Sequence, residues 1–118
     1  MKLLQSFGYA FKGLFAAVQS ELNMKIHLLA VIIVVFAGFN FKITSTEWAL
    51  VLLCMALVIA LELINTAIEK LLNKLHPEFD ETIGLSKDIS ASAVLFASII
   101  AVIIGAIVFV PHLLNLFF

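Results

Sequence analysis

Apolar positions along this chain fall into one periodic stretch and three long continuous ones, and the polar residues crowd at the ends of the continuous runs. Over residues 1–24, Leu3, Leu4, Phe7, Ala10, Phe11, Leu14, Phe15 and Val18 recur at the i, i+3, i+4, i+7 spacing of an amphipathic helix, and Lys2, Gln5, Lys12 and Gln19 lie off that stripe. Phe and Leu on one face with Lys on the other suit a helix lying in a membrane interface. Residues 26–45, 48–72 and 88–110 read as three membrane spans, the first short because its apolar run reaches only from Ile26 to about Ile43 while a hydrocarbon core needs about 20 residues. Trp48 opens the second span as an interfacial anchor, and Ser90, Ala91, Ser92 and Ala93 open the third with side chains small enough for close helix approach. Residues 73–86, with His76, Pro77, Glu78, Asp80 and Glu81, read as a polar loop that cannot sit in hydrocarbon, and Pro111 is expected to close the third span.

The second span carries the feature that most needs a physical reason. After the apolar run from Trp48 to Leu61 comes Glu-Leu-Ile-Asn-Thr-Ala-Ile-Glu, residues 62–69. A carboxylate at membrane depth costs several kcal/mol unless it is paired, hydrated or metal-bound, so it marks a functional site by default. On a helix, Glu62, Asn65, Glu69 and Asn73 fall at roughly 0°, −60°, −20° and +20°, with Thr66 near +40°. They form one polar stripe about 16 Å long, enough to lead from hydrocarbon to the aqueous boundary.

Composition agrees on the solvent. Hydrophobic residues make up 64% of 118 and charged residues 13%, more apolar surface than a soluble domain of this length could hide. The charge is −1 with seven Lys and no Arg, so no basic footprint for nucleic acid exists. Cys54, the only cysteine, reads as an apolar filler within its span. The N-terminal region lacks the small-residue cleavage pattern of a signal peptide and reads as mature protein.

Lysine counting sets the orientation. With three spans, Lys2, Lys12, Lys25, Lys70, Lys74 and Lys87 share one side and Lys42 stands alone on the other. The positive-inside rule then places the N-terminus and the 73–86 loop in the cytoplasm and the C-terminus outside. Glu21 and Asn23, the 62–69 stripe, and Lys87 and Asp88 consequently meet at one interface. Carboxylates with oxygen-rich neighbours suit Mg²⁺ alongside substrate phosphates, and Lys suits phosphate. No Gly-rich phosphate loop or protein-kinase signature is present, so the spacing leaves metal-assisted phosphate chemistry and ion translocation both open.

Three segments together resemble the prokaryotic diacylglycerol kinase family, which includes undecaprenol kinases: Glu-Leu-Ile-Asn-Thr-Ala-Ile-Glu at 62–69, Lys-Asp-Ile-Ser-Ala-Ser-Ala-Val at 87–94 and Gly-Tyr-Ala-Phe-Lys-Gly-Leu at 8–14, at matching separations from about Lys2 to Phe96. The resemblance implies an all-α integral membrane kinase, a surface helix plus three spans, trimeric, in the bacterial cytoplasmic membrane. It would transfer the γ-phosphate of ATP to a lipid alcohol, diacylglycerol or undecaprenol. By position, Glu62 would be the catalytic base and Glu21 and Glu69 the Mg²⁺ ligands. Lys2, Tyr9, Glu21, Asn65, Glu69, Glu78, Asp80, Lys87 and Asp88 would border ATP, and Phe11, Phe15, Asn23, Trp48 and Glu62 the lipid. Lys2 stands where many members carry Arg, losing bidentate phosphate geometry, and Asn73 where Asp is usual. His27, in Glu-Leu-Asn-Met-Lys-Ile-His, looks like the undecaprenol kinase branch, and by itself reads as an amphipathic interfacial residue; His76 and His112 read as loop and tail without a role.

Two other function classes are distinguishable from this one. A proton or cation pathway needs a continuous polar route, yet residues 48–61 offer nothing polar beyond Cys54 once past Trp48. A non-catalytic helical partner would leave the acidic stripe without a purpose.

Overall fold

The computed structural model describes residues 1–118 as four helices in chain order: α1 Lys2–Ser20, α2 Leu22–Phe41, α3 Ser45–Leu75 and α4 Glu81–Phe117. The last three are each long and apolar enough to cross a membrane. The 20 residues of α2 span about 30 Å, so the first crossing is complete rather than short. α3 and α4, with 31 and 37 residues, overrun the hydrocarbon and carry their polar ends beyond it. Only 12 residues of 118 are buried, and Leu53, Phe36, Val102 and Phe96 are among the large side chains left exposed, which is sensible only with lipid or partner helices as surroundings.

Each helix boundary has a local cause. Glu21 breaks the chain between α1 and α2: its backbone is extended (φ −117°, ψ 118°), its N–H bonds to the Ala17 carbonyl, and its own carbonyl accepts from Lys25. The α2–α3 turn is tight. Lys42 adopts the left-handed conformation (φ 55°) that commonly ends helices, and Thr44 starts α3 through a reciprocal capping box with Glu47. Gly38 lets the turn close, because a Cβ there would lie 2.5 Å from the Trp48 ring. Asp80 caps α4, accepting from the backbone N–H groups of Thr82 (2.9 Å) and Ile83 (3.1 Å).

Two sequence expectations are corrected. The 73–86 loop shrinks to residues 76–80, because α3 runs on to Leu75 and the Asp80 cap starts α4 at Glu81. Pro111 does not close the third span: α4 continues through it to Phe117. Proline removes one backbone donor, which a long helix with intact turns on both sides absorbs, as transmembrane helices commonly do.

α3 and α4 pack along the greatest length, α2 lies against α3, and α1 touches both α2 and α3. The apolar core sits near the α2–α3 turn, where Ile43, Val51 and Val108 are buried against Val34, Phe41, Trp48, Met55, Ile104 and Phe109. At the other end the buried residues change character, to Glu62, Asn65 and Thr66.

Candidate active site

Glu62 is 2% exposed although it carries a carboxyl group, and Asn65 and Thr66, one turn further along α3, are 6% and 3% exposed. The chain reaches this arrangement because i, i+3 and i+4 residues of one helix share a face, and that face of α3 is the one covered by its neighbours. The stripe inferred from spacing is therefore buried at its deep end and open at its shallow end, where Glu69 is half-buried and Asn73 exposed.

The partners of this stripe come from two other helices. His27 of α2 brings its Nε2 to 3.5 Å from Glu62 Oε2. Asn65 donates through Nδ2 to Glu69 Oε1 at 3.4 Å, while its own Oδ1 and the Thr66 Oγ1 are buried without a partner. Lys87 of α4 donates from Nζ to Asn73 Oδ1. Buried polar atoms are nearly always satisfied, so two orphans beside a buried acid mark a place prepared for something else.

The other residues singled out from the sequence divide by location. Glu21 is half-buried at the α1–α2 break, and Asn23 is exposed at the start of α2. Lys2, Tyr9, Phe11 and Phe15 stand exposed on α1. Glu78 and Asp88 are exposed on either side of the Asp80 cap, and Asp80 itself is engaged by its cap and by His76 Nε2 at 4.0 Å. Trp48 does not join the acidic end: it packs at a tilt against Phe39, ring centroids 5.0 Å apart, beside the α2–α3 turn, about 21 Å along α3 from Glu62. No three His, Cys, Asp or Glu side chains converge at metal-binding distance within the chain. Glu69, held by Asn65, and Glu21 are carboxylates of the kind that would hold Mg²⁺ together with substrate phosphates, and the unpartnered Asn65 Oδ1 is a further acceptor on the same face as Glu69.

The sequence reading took His27 for an amphipathic interfacial residue and missed its contact with Glu62, although a signal for it exists. In an antiparallel helix pair joined by a tight turn, residues at similar distances from the turn face each other, and His27 and Glu62 lie within one helical turn of equal distance from Lys42–Thr44. In the α3–α4 hairpin a common centre near residue 80 pairs Asn73 with Lys87 and, at the far end, Glu47 with His112, whose Nε2 lies 3.3 Å from the carboxylate. His112 thus lies within α4 and has a partner that a tail would not have supplied, while His76 does lie in the loop, 4.0 Å from Asp80.

Beside His27, an apolar cavity of about 350 Å³ runs between α2, α3 and α4, with Val34, Val51, Met55, Val58 and Ile104 among its walls. Ser98 is the one other polar side chain lining it besides His27, and its Oγ has no partner.

An all-helical membrane protein with a buried carboxylate, an amide and a lysine gathered at one end of its spans is the class that fold and site define. Comparison with known proteins makes it particular. The family model for prokaryotic diacylglycerol kinase matches residues 8–109, and the chain belongs to that family of lipid kinases. It is 30% identical to the undecaprenol kinase of Bacillus subtilis (strain 168) over 112 residues, covering 95% of this chain and 91% of that protein. It is 36% identical to a diacylglycerol kinase of Synechocystis over 115 residues, 97% of this chain and 66% of the relative. Against the diacylglycerol kinase of Escherichia coli (strain K12) it is 31% identical over 111 residues, 94% of this chain and 91% of the relative.

Proposed function

We propose that this chain transfers the γ-phosphoryl group of ATP to the hydroxyl of a membrane lipid alcohol at the cytoplasmic face of the bacterial inner membrane. Diacylglycerol, giving phosphatidic acid, is the leading substrate and undecaprenol the alternative, since the relatives carry both names. The observation that carries the reading is a carboxylate buried to 2% exposure at the membrane end where α1–α2, α3 and α4 bring acid, amide and lysine together.

In this reading Glu62 accepts the proton of the lipid hydroxyl as its oxygen bonds to the γ-phosphorus and the bond to the ADP oxygen breaks. Such proton transfer is worth about 10²- to 10⁴-fold in rate. The buried position keeps water from competing for the phosphoryl group. Lys87, released from Asn73, offsets charge on the phosphates, and Asp88, Glu78, Asp80, Tyr9 and Lys2 border the nucleotide. Asn65 holds Glu69 in place, and Glu69 with Glu21 would hold Mg²⁺. That ion, when bound, supplies charge neutralisation on the phosphates.

The lipid would approach along α1, lying on the membrane surface, past Phe11, Phe15 and Asn23. The apolar faces left exposed on α2 and α4 suit lipid on some sides and the partner helices of a homotrimer on others.

The test is transfer of labelled phosphate from MgATP to diacylglycerol, undecaprenol and ceramide in mixed micelles, with product identified by mass. A phosphorylated lipid alcohol that forms only with MgATP supports the reading. No product from any lipid, with ATP bound and the protein folded, counts against it.

A further inference from the structure

We infer that His27 is a positioning residue for the reaction, holding the Glu62 carboxylate by one oxygen so that the other faces the lipid hydroxyl. The inference rests on the reading of Glu62 as the base, and it assigns a role to a side chain that neither sequence spacing nor the phosphate chemistry required.

Three observations carry it. First, His27 Nε2 lies 3.5 Å from Glu62 Oε2, and the two side chains are 22% and 3% exposed, so the contact is screened little by solvent. Second, no hydrogen-bond donor of α3 or α4 engages Glu62, and Asn65, an amide one turn along the same helix, donates to Glu69 instead. A carboxylate on three rotatable bonds, buried and held by nothing else, takes its orientation from His27. Third, His27 lines the apolar cavity between α2, α3 and α4, so it stands between the acid and space that hydrocarbon can fill.

The groups around the pair restrict what the imidazole can do. Glu69 follows Glu62 two turns further along α3 and Glu21 sits at the α1–α2 break, while α4 lines the cavity with no titratable group and with Ser98 as its one polar side chain. An imidazole with its Nε2–H turned to Oε2 across the 3.5 Å contact leaves Oε1 as the acceptor for the lipid proton. Holding a base in its reactive geometry is the contribution that intramolecular positioning makes, and a misplacement of about 1 Å can cost about 10²-fold. The proton moves from the lipid oxygen to Oε1 and no group beyond Glu62 changes its proton count in the step.

The experiment compares His27→Leu, which keeps bulk without a donor, with His27→Gln, whose amide N–H reaches to a similar depth. Assays use full-length protein in micelles, with the lipid that the substrate panel identifies. His27→Leu should lower kcat about 10- to 100-fold with KM for MgATP unchanged, and His27→Gln should recover most of it. In a Glu62→Gln background His27→Leu should cost nothing further, because the base it positions is gone. Equal kcat in wild type and His27→Leu, or equal losses in the Leu and Gln variants, overturns the positioning role and leaves Glu62 as the base. Wild-type turnover in Glu62→Gln alone overturns the underlying reading instead.

Discussion

The two ends of this helical layer bury different things. At the α2–α3 turn every buried side chain is apolar, and the polar groups nearby are paired: Thr44 with Glu47 in a capping box, Glu47 with His112. At the opposite end Glu62, Asn65 and Thr66 are buried, and two of their polar atoms have no partner. An unsatisfied buried polar group costs about 1–3 kcal/mol, so the acidic end is held at the expense of stability that the turn end supplies. Sites that bind charged substrates are drawn from such strained regions, and ends that only close a fold are not.

Substitutions at the two ends should therefore fall on different measurements. At the acidic end, Asn65→Leu removes the orphan oxygen and the donor to Glu69. It should lower phosphoryl transfer by about 10²-fold or more while thermal stability in detergent holds or rises. A fall in stability matching the fall in turnover would place Asn65 with the structural groups.

How much of this was legible beforehand depends on the kind of contact. Three spans and the polar stripe of α3 could be read because each rests on one helix's own periodicity, which sequence states directly. The helix ends were less so: the Asp80 cap and the run of α4 through Pro111 depend on a turn's geometry and on the tolerance of a long helix for one lost bond. His27 against Glu62, Asn73 against Lys87 and His112 against Glu47 come from pairing between helices, and only the register of each hairpin reveals them. Trp48 illustrates the same limit from the other side, since being on the helix of Glu62 did not bring it near.

Next in size is the carboxylate pair. Glu21→Gln and Glu69→Gln should each lower activity at fixed Mg²⁺ by about 10- to 100-fold and shift the Mg²⁺ titration upward, and the double variant should lose less than the product of the two. Multiplying losses, or unchanged titrations, would show that they share no ion.

At the turn end, Gly38→Val forces atoms into the Trp48 ring and should destabilise the protein by about 1–3 kcal/mol, read as a lower melting temperature with KM for MgATP unchanged. The smallest effect is expected for His112→Leu, which removes the partner of Glu47: a slight fall in melting temperature and no change in turnover. A loss of activity in either variant beyond the loss of folded protein would erase the contrast between the ends.

Glu62→Gln tests the central claim most directly, because it keeps the shape of the side chain and removes only its charge and basicity. With phosphoryl transfer and melting temperature measured on the same preparation, turnover should fall by at least about 10²-fold, with stability equal to or above that of the wild type. Wild-type turnover, or a variant that unfolds, would show that the buried carboxylate serves the fold and not the reaction.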